Sequence, residues 1–322
     1  MKKNLNSVLT ALVLDKIPTT LKPVSYLMDL LNLSRESAYR RLRGEIPFSF
    51  EETAKLSTAL NFSIDEILSD SRKERASFDF PSINTTDPSE IFFLMLQKYN
   101  FHVEDMNAFA GQSIMALNRL PSSILTHFDH LFKFSYYKWI QQNNQKLSKQ
   151  YFSEITLSEN LLLLQQKIKS NLFGSQKSIL IFDSNTFFSL IKEIQYYYQG
   201  KLIDKEELAI LKMEFLELID LFEEIAKTGT FENKSSVSLF LYPLNISGNT
   251  GYGSFENTAR TIFWIFTVNP IIIENPEIST MQKKWLDSIK RQSISITQSN
   301  EFQQSDFFDK QREYLKKYLN VK

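Results

Sequence analysis

Residues 34–44, Ser-Arg-Glu-Ser-Ala-Tyr-Arg-Arg-Leu-Arg-Gly, crowd four guanidinium groups into a stretch of eleven positions. Each arginine carries a planar fork of donors that can bond guanine O6 and N7 together, or meet phosphate oxygens. At helical spacing Ala38 and Leu42 share one side, while Arg35, Glu36, Tyr39, Arg40 and Arg43 point the other way. Ser34 stands where a helix N-cap is needed, and Gly44 where the helix stops. The candidate DNA-contacting residues are therefore Ser34, Arg35, Glu36, Ser37, Tyr39, Arg40, Arg41 and Arg43. Arg35 and Arg40 are placed to read bases, and Arg41 and Arg43, nearer the helix end, to meet phosphate.

Other groupings carry less chemistry. His127 and His130, with Asp129 between them, offer two metal ligands on one helix face. A catalytic zinc site needs a third ligand and an open position, and no partner motif, including around His102, supplies it. Gly248, Gly251 and Gly253 follow a strand-like segment, as phosphate-binding loops do. They lack the Gly-Lys-Ser/Thr end and precede another strand-like segment, so they read as a flexible hairpin loop. The acidic pairs Glu206-Glu207 and Glu223-Glu224 fall on the polar face of a helix, where solvated charge is the default. With no cysteine there is neither a thiolate nor a disulfide. The expectation is no metal, no cofactor and no enzyme activity.

The arginine-rich helix needs a frame. Leu27, Leu30 and Leu31 line one face of a preceding helix, and Asn32 sits at the bend, since asparagine tolerates the left-handed conformation. Ser49-Phe50-Glu51-Glu52 and Ser63-Ile64-Asp65-Glu66 are capping boxes opening two further helices, to about Leu60 and Leu68. Leu5, Val8, Leu9, Leu12 and Val13 form an amphipathic stripe ahead of them. Five short helices in this order, with the Asn32-Leu33-Ser34 turn, the Arg43-Gly44 end and the Ser63–Leu68 close, closely resemble the Cro-like (XRE-type) helix-turn-helix domain over Leu5–Leu68. Met28 stands where that family usually has a small residue, and Val24 near a position where it often has glutamine. The resemblance implies that the second helix of the pair enters the DNA major groove and that dimers bind paired half-sites.

Charge agrees with assembly in pairs. Residues 1–80 hold twelve Lys/Arg against eleven Asp/Glu, a balance of +1, whereas Leu33–Gly44 alone carries +3. Few phosphates can be neutralised per monomer, so a homodimer on an operator is expected, with the dimer contact elsewhere in the chain. At 322 residues and 43% hydrophobic content the chain holds more than one domain. No run approaches the roughly twenty apolar residues of a membrane span, and the N-terminus lacks a secretory pattern. A cytoplasmic protein is expected.

The spacing predicts a domain over 1–70, a linker over 71–88 rich in turn formers, and a dimerisation and sensor region over 89–322. Helices are expected from Ile91, over Ile124–Ile140, Leu157–Leu172, Phe187–Tyr198 and Lys205–Lys227, with Ser178–Phe182 a candidate short strand. Leu208, Leu211, Phe215, Leu218, Phe222 and Ile225 form a heptad seam, read as packing within the subunit. Strands are expected near 236–245 and 260–269, as antiparallel neighbours, and near 293–297. Helices Ile278–Lys290, with Met281, Trp285 and Ile289 inward, and Phe302–Leu319 would cover them, leaving Tyr252 on a mobile loop.

The fold class expected is thus mainly α: a five-helix N-terminal domain, an α-rich region and a C-terminal α+β segment with a small antiparallel sheet. The long aromatic-rich C-terminal region resembles that of bacterial regulators with an XRE-like N-terminus. The 27 Phe and 13 Tyr of the whole chain suit either a large core or an apolar pocket for a small-molecule or protein effector. The functional expectation is a sequence-specific DNA-binding transcriptional regulator. The alternative is a protein-interaction adaptor with a vestigial helix-turn-helix.

Overall fold

The computed structural model describes residues 4–18, 20–60, 62–64, 67, 85–143, 150–174, 177–232, 235–265 and 269–320. They divide into two units, Met1–Ser77 and Phe78–Lys322. Residues 71–84 of the linker expected over 71–88, and the Asp65, Glu66 and Leu68 end of the fifth expected helix, lie outside the described residues.

The first unit contains α1 (Leu5–Lys16), α2 (Pro23–Leu31), α3 (Arg35–Leu42) and α4 (Phe50–Leu60). Local chemistry sets each boundary. Asn4 caps α1 by accepting the Asn6 N–H, and Pro23 opens α2 at a position where no backbone donor is needed. Asn32 ends α2 in the left-handed conformation, φ 54°, and Ser34 caps α3 by accepting the Ser37 N–H. Gly44, at φ 73°, turns the chain away after α3. The predicted capping box of α4 is present: Glu52 N–H donates to Ser49 Oγ at 3.1 Å, and Ser49 N–H to Glu52 Oε2 at 2.9 Å. Leu9, Val13, Leu27, Leu31, Ala38, Leu56, Leu60 and Ile67 meet in one core.

The second unit is not the α-rich region with a small antiparallel sheet that its sequence suggests. It is built on a seven-stranded mixed sheet in the order β6-β5-β4-β1-β2-β3-β7. The strands are β1 (Gln112–Leu117), β2 (Lys177–Phe182), β3 (Val237–Leu241), β4 (Thr250–Phe255), β5 (Thr258–Ile265), β6 (Asn269–Ile273) and β7 (Ile294–Ser295). β1, β2 and β3 run parallel, with Leu117, Phe182 and Leu241 in register, and every other pairing is antiparallel. The helices are α5 (Pro88–Ala108), α6 (Ser122–Leu125), α7 (Asp129–Asn143), α8 (Glu159–Asn171), α9 (Phe188–Gln199), α10 (Lys205–Thr228), α11 (Pro276–Gln292) and α12 (Glu301–Tyr318).

Alternation along the central strands assigns the two faces. Met115, Leu117, Leu180, Phe182, Val237 and Leu239 join the large core formed with α5, α7 to α10 and α12. Ile114, Ala116, Ile179 and Ile181 face the other way, onto Leu286 and Ile289 of α11. The heptad seam of α10 is consumed inside the first of these cores. Phe182 and Phe187 each meet Phe222 edge to face there, centroids 5.5 Å apart in both pairs, and Phe307 meets Phe187 edge to face and stacks on Phe182.

Three local expectations fail with the fold class. The segments near 236–245 and 260–269 are not neighbours, since β4, β1 and β2 separate β3 from β5; residues 266–268 lie outside the described residues. Gly251 and Gly253 lie within the strand β4, with Gly248 in a bend before it, and Tyr252 is buried in that strand, paired with Ile114 and Thr261. A Cβ on Gly253 would stand 3.1 Å from Met106 Sδ, so the missing side chain lets α5 lie close. Finally, α11 covers the sheet through Ser279, Leu286 and Ile289, while Trp285 is 46% and Met281 69% exposed. The helix is rotated by one residue, about 100°, from the expected phase.

Candidate nucleic-acid interface

The α3 surface is fixed from beneath. Ala38 is fully buried and Leu42 packs partly into the core, so the opposite face must point outward. Arg35, Glu36, Tyr39, Arg40 and Arg43 are all exposed. The Arg35 and Arg43 guanidinium carbons each lie 5.8 Å from the Tyr39 ring centroid, one turn before and one turn after it. Ser34 and Ser37 are tied to each other: Ser34 Oγ accepts the Ser37 N–H at 3.2 Å and donates to Ser37 Oγ at 3.0 Å.

Arg41 is placed differently from its neighbours. Its Nε and Nη2 fork onto Glu52 Oε2 and Oε1 at 3.0 and 2.8 Å, and both side chains are largely covered. Burial pushes the Glu52 carboxyl up, but the Arg41 fork and the Ser49 N–H outweigh it and hold the group below its ordinary value. The pair joins α3 to the first turn of α4, which sets how α3 is presented. Sequence reading marks Glu52 as a cap and misses this second role. Its signal, a carboxylate eleven residues from an arginine, is too non-local for a motif.

The remaining candidates serve packing. Glu214 of α10 is buried and accepts the backbone N–H groups of His130 and Leu131 at 2.8 Å, capping α7, while its Oε1 also meets His130 Nδ1 at 2.9 Å. His127 is buried edge-on against Phe231, centroids 5.2 Å apart, and burial lowers its pKa. Asp129 accepts from Gln165 Nε2 at 2.8 Å. Among the described residues no three His, Asp or Glu side chains group to hold a metal ion. His102 is buried beside Arg260, with Nδ1 facing the guanidinium at 3.2 Å; burial first, and that charge second, push its pKa down to about 3. Arg260 in turn reaches Asp105 and Glu274, at 2.9 and 2.6 Å, tying α5 to β5 and the end of β6. A cavity of about 30 Å³ beside His102 and Tyr99 has room for about two waters, far less than a ligand pocket.

The chain therefore joins a helical unit presenting an arginine-bearing helix to a mixed α/β unit. The sequence model of the BetR domain matches residues 5–91. That family is distinct from the Cro-like (XRE-type) one, so the resemblance read from the turn, caps and glycine is corrected. Those features are common solutions for two helices joined by a tight turn, whereas Met28 and Val24 mark departures from the Cro-like pattern. No curated protein and no solved structure matches the chain. Among the described residues no helix is long and apolar enough to cross a membrane.

Proposed function

We propose that this chain is a sequence-specific DNA-binding transcriptional regulator that reads double-stranded DNA with α3 and acts as a homodimer. The observation that carries the reading is the rigid outward display of Arg35, Tyr39, Arg40 and Arg43 on a helix fixed by the Asn32 turn, the Ser34 cap and the Arg41–Glu52 fork. The BetR match supports a regulator-like, DNA-binding role for the same segment. The α/β unit supplies the dimer contact and the surface on which an effector would act. No catalytic role is proposed for it, because Glu214 is engaged as a cap with His130 against it, and His102 is tied to Arg260. We place the protein in the cytoplasm, where its DNA target lies.

Binding of the full chain to genomic duplex fragments tests this. Arg35→Ala/Arg40→Ala should lose about 1–3 kcal/mol of affinity for each bidentate base contact removed, with the thermal midpoint unchanged. Arg41→Ala should instead lower the thermal midpoint, since it strands the largely covered Glu52 carboxylate. Intact binding by the double variant would refute the assignment to α3. Absence of salt-dependent binding to any duplex would favour the adaptor reading.

A further inference from the structure

The four arginines of the candidate interface do not present four free charges. Arg41 is consumed by Glu52. Arg40 Nε lies 3.4 Å from Glu45 Oε2, and Arg43 Nη1 lies 3.6 Å from Glu45 Oε1, so one carboxylate spans both arginines with one oxygen each. Only Arg35, against the Tyr39 ring, has no carboxylate partner among the described residues. Counting Glu45, the segment 33–45 has four arginines and two glutamates, a balance of +2.

Glu45 is held in place by the helix end itself. After Gly44 turns the chain, the Glu45 and Ile46 N–H groups both donate to Arg40 O, at 2.9 and 3.3 Å. The fold gains little from a carboxylate there. A negative charge at a helix C-terminus opposes the macrodipole, and ion pairs this exposed contribute little to stability. What the carboxylate does is occupy the two guanidinium groups that DNA would otherwise take.

On that footing, and resting on the DNA-binding reading above, we infer that Glu45 is a specificity-determining residue that competes with DNA for Arg40, the base reader, and Arg43, the phosphate contact. On a random duplex, phosphate alone must displace the carboxylate and then sit beside it, like charge against like. On a cognate site, base contacts add to the phosphate contacts and complete the displacement. Glu45 thus weakens non-specific binding more than specific binding, and the difference is selectivity.

The test compares the full chain with its Glu45→Gln, Glu45→Asp and Glu51→Gln variants on a random-sequence duplex across a salt series. Glu51 is an exposed carboxylate in the first turn of α4, outside the α3 ion pairs, so Glu51→Gln adds the same unit charge to the domain. Glu45→Gln should tighten binding by roughly three- to tenfold at about 0.1 M salt. It should also steepen the slope of log K against log salt by about one, as for one further phosphate contact. Glu51→Gln should change affinity by less than about twofold, and Glu45→Asp should stay near the wild type. Glu45→Gln binding no tighter than Glu51→Gln, with the wild type still binding salt-dependently, overturns the inference and leaves the DNA-binding reading intact. No salt-dependent binding by any of the four proteins overturns both.

Discussion

At the residue scale, partners matter more than residue types. Arg35, Arg40, Arg41 and Arg43 are one residue type within nine positions, yet one lies against an aromatic ring, two share a carboxylate, and one is a structural tie. The same holds for the histidines, of which His102 has the clearest consequence. Its folded pKa of about 3 lies below the ordinary 6.5. Above pH 6.5 the ring is neutral in both the folded and unfolded chain, and its contribution to stability is fully present. As the pH falls from there toward 3, the unfolded chain takes up a proton that the folded one refuses, so stability is lost. The slope from this one group approaches about 1.4 kcal/mol per pH unit. His102→Asn keeps an acceptor for Arg260 and cannot titrate, so its denaturation midpoint should fall less steeply between pH 6 and pH 4 than the wild type's. Parallel profiles for the two proteins would show that the titration lies elsewhere.

At the element scale, α11 shows how one residue of helical phase changes the energetics. Leu286 is fully buried between α11 and the sheet, and Leu286→Ala should cost about 2–5 kcal/mol. Trp285 stands half in solvent, so Trp285→Ala should cost less than about 1 kcal/mol despite removing the larger side chain. Urea denaturation of the two variants decides it, and a larger loss for Trp285→Ala would reverse the assigned face. Helix positions were readable from the chain because caps and seams are written within one or two turns: Ser34, Ser49–Glu52, and Leu208 to Ile225 are all where the spacing places them. The sheet was not, because its order depends on partners far apart. Ile114 pairs with Ile179 on one side and Tyr252 on the other, contacts that no local window contains. Short apolar runs buried on both faces, such as Gln112–Leu117, also lack the alternation that marks a half-exposed strand. The glycines of β4 misled for a related reason: their meaning lies in what packs against them, Met115 and Trp264 at Gly251 and Met106 at Gly253. In the candidate interface the outward arginines were legible, while Glu45 and Glu52 needed three dimensions.

At the scale of the whole molecule, the 37 basic and 37 acidic residues cancel, so the proposed DNA binding gains little from long-range attraction and rests on the proposed pairing of two copies. The sheet edges are poor places to join two copies. β7 is two residues long. On β6, Pro270 lies opposite Trp264, whose N–H bonds to Asn249 O on the β4 side, so the proline backbone faces the open edge and offers no donor there. The proposed dimer should therefore form through helix faces of the α/β unit and not by strand addition. Sedimentation of the full chain at micromolar concentration should show a dimer, and a fragment of residues 1–77, which has its own core, should be folded and monomeric. On an inverted repeat with half-sites about 34 Å apart, the fragment should bind on the order of a hundredfold more weakly than the full chain. On a single half-site the two should differ little. A monomeric full chain that still holds the inverted repeat a hundredfold more tightly than the fragment would place the missing affinity in DNA contacts of the α/β unit, and the dimer proposal would fall.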